Sequence, residues 1–153
     1  MIFVVLLPIY LFIGFQPASS LDLSRYPTLE IPQISLTTPV QPLSLTSDHE
    51  LIAPAELAGS YSQTPSTTLL IGHSSTVFAS LSQLALNTPL TYNHQTYRIT
   101  SIATFAKADI NMSQLLAPSD RPTLILMTCA GDPLPNQDAT HRLIVTAELT
   151  AKD

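Results

Sequence analysis

Proline recurs along this chain from Pro8 to Pro135, thirteen times in 153 residues, against only four glycines. A proline lacks the backbone N–H and its ring collides with the preceding helical turn, so each one kinks or ends a helix. A helical bundle is therefore excluded, and the chain must fold from short elements. It has the apolar residues to do so: 45% are hydrophobic and 11% charged, a balance that also excludes a disordered chain. The length fits one domain with at most a short appendage. A domain near this size buries about two-thirds of the surface its unfolded chain exposes, so it needs no metal or disulfide staple. Cys129 is the sole cysteine and has no internal partner. Eleven acidic against six basic residues, a net charge of −5, is the wrong sign for a general nucleic-acid binder.

Residues 1–20 read as a hydrophobic membrane anchor or signal segment. Met1 to Phe15 is uncharged and apolar apart from Pro8 and Gly14. As a helix it would span about 22 Å, short of the roughly 30 Å hydrocarbon core, unless it is the tail of a longer anchor. A secretory core has this length, but no basic stretch precedes it, and Ala18-Ser19-Ser20 offers a weak cleavage signal. A buried core strand or helix of a cytosolic protein is the competing reading. Export or membrane attachment is favoured, because Pro and Gly break the run and a polar stretch follows. Residues 21–28 then read as a tether and 29–153 as the folded domain.

Short apolar runs separated by turn residues fill that domain. Ile31 to Leu36 alternates like a strand, with Pro32 marking an edge or a start. Pro39 to Pro65 is rich in Pro, Ser and Thr and is expected to be mostly loop, with a helical turn at Pro54 to Ala58. Thr67 to Ile71 reads as a buried strand ending at Gly72-His73. Val77, Phe78, Leu81 and Leu84 fall on one face of a two-turn amphipathic helix. Leu90 to Tyr92 and Thr96 to Phe105 read as strands joined at Asn93-His94. Asn111 is placed to cap a helical turn through Leu115-Leu116. Thr123 to Thr128 is a fully buried strand by composition, followed by a polar loop from Ala130 to Thr140 and a last strand, Arg142 to Ala147. Many short strands predict an all-β sandwich or barrel.

Three chemically capable residues stand at the ends of the buried strands: His73, Cys129 and Arg142. A nucleophilic thiol needs an imidazole partner and a positive donor for the oxyanion formed at an attacked carbonyl, and these residue types meet both needs. From spacing alone the trio carries little weight. A cysteine ending an apolar strand packs by default as a small hydrophobe, and Arg142 has possible surface ion-pair partners in Asp138 and Glu148. His141 adjoins Arg142 but points to the opposite face and reads as exposed. His49 and His94 read as solvated, and the histidine spacing predicts no zinc site. Asp132 and Asp138 read as solvating the loop after Cys129.

The surrounding sequence is more specific. Leu124-Ile125-Leu126-Met127-Thr128-Cys129, followed by Arg142-Leu143-Ile144-Val145, resembles the sortase pattern of an apolar strand ending in Thr-Cys and a later Arg-aliphatic strand. Ile71-Gly72-His73 and Phe78-Ala79-Ser80-Leu81 resemble that family's Gly-His and the Phe-x-x-Leu after it. Ile31-Pro32-Gln33-Ile34 is similar to its opening strand, and Tyr97-Arg98-Ile99 to its Tyr-x-Val. The ordered matches cover about residues 29 to 149.

This resemblance implies a closed β-barrel of about eight strands with short helices, and cysteine transpeptidation at the cell surface. Cys129 would attack the threonine carbonyl of a Leu-Pro-x-Thr-Gly-type sorting signal on a surface protein. His73 would act as general acid and then base, and Arg142 would hold the substrate backbone and stabilise the oxyanion. The acceptor would be an amine of a peptidoglycan precursor or another protein. No cofactor is implied, and Asp109 with Asp120 make a poor calcium set, so no metal is expected. Departures from the pattern are Asn87-Thr88 in place of a Gly-Asp, a Ser/Thr-rich stretch before Gly72, and no Asp-Pro-aromatic lid motif upstream of His73. Two alternatives compete: a catalytically silent module of the same fold that binds peptides or a surface partner, and another thiol enzyme. Papain-like and L,D-transpeptidase local patterns around the cysteine are absent.

Overall fold

The computed structural model describes residues 22–151. The anchor or signal segment expected at 1–20 lies outside the described residues. Residues 23–25 form a 3-10 turn capped by Asp22, whose carboxylate accepts from the Ser24 N–H. Eight strands follow: β1 (Thr28–Ile31), β2 (Leu36–Pro42), β3 (Ala58–Thr64), β4 (Thr67–Ile71), β5 (Pro89–Tyr92), β6 (Gln95–Ala106), β7 (Thr123–Leu134) and β8 (Asp138–Leu149). They close into a mixed barrel in the order β1-β2-β3-β4-β7-β8-β6-β5. The β2–β3 and β4–β7 pairs are parallel and all others antiparallel.

Four local expectations are corrected. The strand through Pro32 is interrupted: Pro32–Ile34 is a 3-10 turn and Ser35 is left-handed at φ 52°, making a tight corner between β1 and β2. Proline's preset φ and missing donor favour the first position of such a turn over mid-strand. The stretch from Pro39 to Pro65 is mostly loop as expected, over 43–57, but it also holds the end of β2 and all of β3, and Pro54 to Ala58 is not helical. Gly59 permits this path, because a Cβ there would lie 2.4 Å from Leu43 Cδ1.

The expected two-turn helix is a run of turns ending in a 3-10 helix at Leu81–Gln83, although Phe78, Leu81 and Leu84 are buried as its pattern requires. Serines and a threonine crowd this stretch, and their hydroxyls compete for backbone bonds; Thr76 Oγ1, for one, donates to the Ala55 carbonyl at 2.7 Å. Finally, the loop expected at Ala130 to Thr140 is mostly strand, with β7 and β8 paired out to Leu134 and Asp138 across an irregularity after Ala130. Gly131, at φ 77°, allows that irregularity, and Thr140 Oγ1 accepts from the Asp132 N–H.

Elsewhere local sequence and structure agree. Asn93 and His94 both take positive φ in the β5–β6 hairpin. The Asn111 side chain caps α1 (Met112–Leu115) by accepting from the Gln114 N–H.

Strand alternation divides the apolar residues into two clusters. Leu70, Leu124, Leu126, Leu143 and Val145 point into the barrel with Leu29, Ile31, Phe78 and Ile99. Their neighbours Leu69, Ile71, Ile125 and Ile144 point outward and, with Leu116, form a second cluster. Leu43, Leu51, Ala53 and Ile110 from the loops and Met112 from α1 pack over it. β4, β7 and β8 are thus apolar on both faces, which explains their continuous rather than alternating hydrophobic runs.

Candidate active site

Parity along the strands decides where the three candidate residues point. His73 is two positions past Ile71, Cys129 two past Met127, and Arg142 two before Ile144, so each follows the outward face. The parallel pairing of β4 with β7 ends at Ile71 opposite Met127, so His73 and Cys129 leave their strands at the same level. Two bonds hold that level: the Gly72 N–H donates to the Met127 carbonyl at 3.3 Å, and buried Thr128 Oγ1 donates to the Gly72 carbonyl at 2.7 Å. On the other side of β7, Cys129 lies directly opposite Arg142. The three side chains line one cavity of about 990 Å³.

Gly72 and Phe78 account for the histidine's placement. The Phe78 N–H donates to the His73 carbonyl at 3.0 Å, folding the chain back so that the buried Phe78 ring lies against Gly72. A Cβ at residue 72 would come within 2.8 Å of Phe78 Cδ2 and 2.5 Å of Val77 Cγ1. Glycine is required here for close approach. His73 and Cys129 are both half-buried, reachable from the cavity but supported from behind.

Arg142 is held most tightly. Its Nη1 donates to the carbonyls of Ala139 at 3.0 Å and His141 at 2.9 Å, and its Nη2 donates to Asp138 Oδ1 at 2.7 Å. Three of the five guanidinium donors therefore have partners among the described residues, leaving Nε and one Nη2 hydrogen for an incoming carbonyl oxygen. The ion-pair alternative raised for Arg142 is thus partly realised, with Asp138.

Asp138 does more than solvate a loop. Its carboxylate also accepts from Lys107 Nζ at 2.5 Å and from the Ala139 N–H at 2.8 Å. Lys107, the Ala139 amide and Arg142 together hold its carboxyl far below the usual aspartate range. Sequence reading missed this role, since Lys107 is 31 residues away. His141 points away from the cavity as expected but is half-buried, with Nδ1 2.7 Å from Thr140 Oγ1. His94 is exposed; His49 is exposed too, but lines the cavity rim. Among the described residues no cluster of His, Cys, Asp and Glu has metal-binding geometry.

The rest of the cavity is a largely apolar groove outside the barrel, with Glu50, Gln63 and Asn136 also on its lining. One wall comes from the β2–β3 connection, with Leu45, Leu51, Ile52 and Ala53; the other comes from the β6–β7 connection, with Ile110, Met112 and Leu116. Tyr61, Ile71 and Met127 floor it. An apolar trough ending at a thiol, an imidazole and a guanidinium suits an extended peptide with few charges, presented to a nucleophile at one end.

A closed mixed barrel carrying a histidine, a cysteine and an arginine on one outer-face cavity defines the scaffold, and the family follows from sequence. The family model for the sortase domain matches residues 29–150, and the chain belongs to the sortase family. Sortases are generally cysteine transpeptidases that act outside the cytoplasm on proteins bearing sorting signals. Among solved structures, a lid mutant of sortase A from Corynebacterium diphtheriae is 24% identical at a TM-score of 0.60, over 84% of this chain and 71% of that one. Sortase E1 from Streptomyces coelicolor, with a tripeptide in its active site, is 18% identical at a TM-score of 0.61, over 82% of this chain and 88% of its own. Sortase A from Listeria monocytogenes is 15% identical at 0.62, over 82% and 86%. At these identities the likeness establishes the fold. The functionally curated proteins contain no match to the chain. No helix among the described residues is long and apolar enough to cross a membrane.

Proposed function

We propose that the chain is a sortase-type cysteine transpeptidase cleaving a Leu-Pro-x-Thr-Gly-type signal, with Cys129 as nucleophile, His73 as acid and base, and Arg142 as oxyanion donor. The observation that carries this reading is the convergence of these three side chains on one cavity from the ends of neighbouring strands. The Cys129 thiolate adds to the threonine carbonyl, forming a C–S bond. The threonine–glycine C–N bond then breaks, and the departing amine takes a proton from His73. An acceptor amine next adds to the thioester and returns a proton to His73, expelling the thiolate. Arg142 contributes most where negative charge develops on the carbonyl oxygen, which lowers the barrier rather than merely tightening binding. Residues 1–20 would anchor or export the domain, so that protein donor and amine acceptor meet at the outer membrane face.

The test begins with the pH dependence of Cys129 alkylation in the wild-type protein and in His73→Ala. A reactive thiol whose profile changes without the imidazole supports the pairing. It is followed by incubation with Leu-Pro-x-Thr-Gly peptides and hydroxylamine, looking for an acyl-enzyme on Cys129 and transfer to the amine. A thiol that reacts only on unfolding would overturn the reading and leave a silent peptide-binding module.

A further inference from the structure

We propose that Asp138 is a positioning residue for Arg142, and that through Lys107 it ties the guanidinium to the β6–β7 wall of the groove. The inference rests on the role given to Arg142 above. Residues four apart on a straight strand lie about 13 Å apart on one face. Here the Asp138 and Arg142 side chains nevertheless meet at 2.7 Å, so the arginine lies back along β8 toward the β7–β8 turn. That direction is not left to the arginine's many rotamers. Both Nη1 hydrogens are taken by carbonyls of its own strand and one Nη2 hydrogen by Asp138. Only 15% of the Arg142 side chain is exposed, unlike a solvated surface pair.

The two carboxylate oxygens divide their work. Oδ1 accepts from Arg142 and from the Ala139 amide, whereas Oδ2 accepts from Lys107. Lys107 begins the connection that carries Ile110, Met112 and Leu116 to the groove. At its far end the same connection is pinned by Ser119, which bonds to Ser66 and sits 3.2 Å from Thr67. One carboxylate therefore joins the oxyanion donor to the wall that seats the peptide. Aim at the reacting carbonyl and placement of the peptide become parts of one network through Asp138, whose hydrogen bonds go to Arg142, Lys107 and the Ala139 amide.

The experiment combines side-chain order with kinetics. The chain has four arginines (Arg25, Arg98, Arg121 and Arg142), so Nε–H signals in a nitrogen-labelled sample are few, and Arg142→Lys assigns one by its loss. In the wild-type protein the Arg142 signal should be ordered, and in Asp138→Asn mobile. With fluorogenic Leu-Pro-x-Thr-Gly peptides and hydroxylamine, Asp138→Asn should lower kcat by about 10- to 100-fold with little change in KM, as expected for a misplaced catalytic group. Lys107→Met, which leaves the Asp138–Arg142 bond in place, should raise KM more than it lowers kcat. An Arg142 equally ordered in Asp138→Asn, or a loosened Arg142 with unchanged kcat, would overturn the proposal. Absence of acyl-enzyme already in the wild-type protein would overturn the functional reading and this one with it, and is recognised by occurring before any substitution. Should Asp138→Asn melt far below the wild type, the KM-against-kcat split of Lys107→Met decides alone.

Discussion

The two faces of β4, β7 and β8 are both apolar, but they are covered in different ways. The inner face is sealed by a closed ring of hydrogen-bonded strands, and Leu70, Leu126 and Val145 have no exposed surface. The outer face is covered by two connections, 43–57 and 107–121, that reach over Ile71, Ile125 and Ile144 and stop at the strand ends. Where the cover stops, His73, Cys129 and Arg142 line the cavity, each still partly buried. A ring of strands cannot part without losing backbone hydrogen bonds, whereas loops held by side-chain packing can yield to a ligand. One set of strands thus carries a sealed core on one side and an open groove on the other.

The largest expected effect probes the chemistry at the uncovered end. Cys129→Ala should abolish acyl-enzyme formation, and Arg142→Ala should lower kcat/KM by roughly 10²–10³-fold, as loss of an oxyanion donor does elsewhere. Circular dichroism and melting should remain near wild type for Cys129→Ala, because its side chain is only half-buried. A large loss of stability in Cys129→Ala would mean that the thiol belongs to the core.

The next contrast sets the two faces against each other. Leu126→Ala on the sealed face should cost toward the upper end of about 2–5 kcal/mol in urea unfolding, since the ring cannot collapse onto the cavity. Leu116→Ala on the loop-covered face should cost toward the lower end, because its connection can relax, and should raise KM for peptide. Equal costs would mean that the loop cover is as rigid as the barrel.

A smaller effect concerns the join between the two. Gly72→Ala must displace Val77 and Phe78, an overpacking cost of about 1–3 kcal/mol. It should also slow Cys129 alkylation or change its pH profile, because Phe78 supports the turn that carries His73. Stability lost with an unchanged profile would separate the turn from the site.

The smallest is electrostatic. The folded-state pKa of Asp138 lies below that of the unfolded chain, held there by Lys107, the Ala139 amide and Arg142. Its contribution to stability is therefore fully present above the ordinary aspartate pKa of about 3.9, and is lost as the pH falls through the depressed folded value. Asp138→Asn should thus lower the melting temperature at neutral pH and narrow the gap to wild type on acidification. A constant gap down to acid pH would show that the ion pairs add nothing to folding.

Much of the barrel was legible because strands leave local marks. The buried runs 67–71 and 123–128, the hairpin at Asn93-His94 and the Asn111 cap need only nearest neighbours to be read. The turn at Pro32 and the strands at the two ends of the stretch from 39 to 65 were hidden for the same reason. Composition there is turn-like, but a corner at Ser35 and the parallel pairing of Val40 with Ala58 are decided by distant partners. The irregularity after Ala130 likewise looks like a loop until β8 is laid beside it.

By itself the sequence determined an all-β chain without long helices, that the runs 67–71 and 123–128 are buried strands, and that a histidine, a cysteine and an arginine stand at strand ends. Those properties follow from alternation, from proline's missing donor and from residue chemistry, all of them local. The tertiary structure alone decided that the three side chains share one face and one cavity, and that Thr128 ties the cysteine strand to Gly72. It alone revealed that Asp138 joins Lys107 to Arg142. Those facts depend on the register of strands far apart in the chain, and a one-residue slip in that register would turn each side chain to the opposite face.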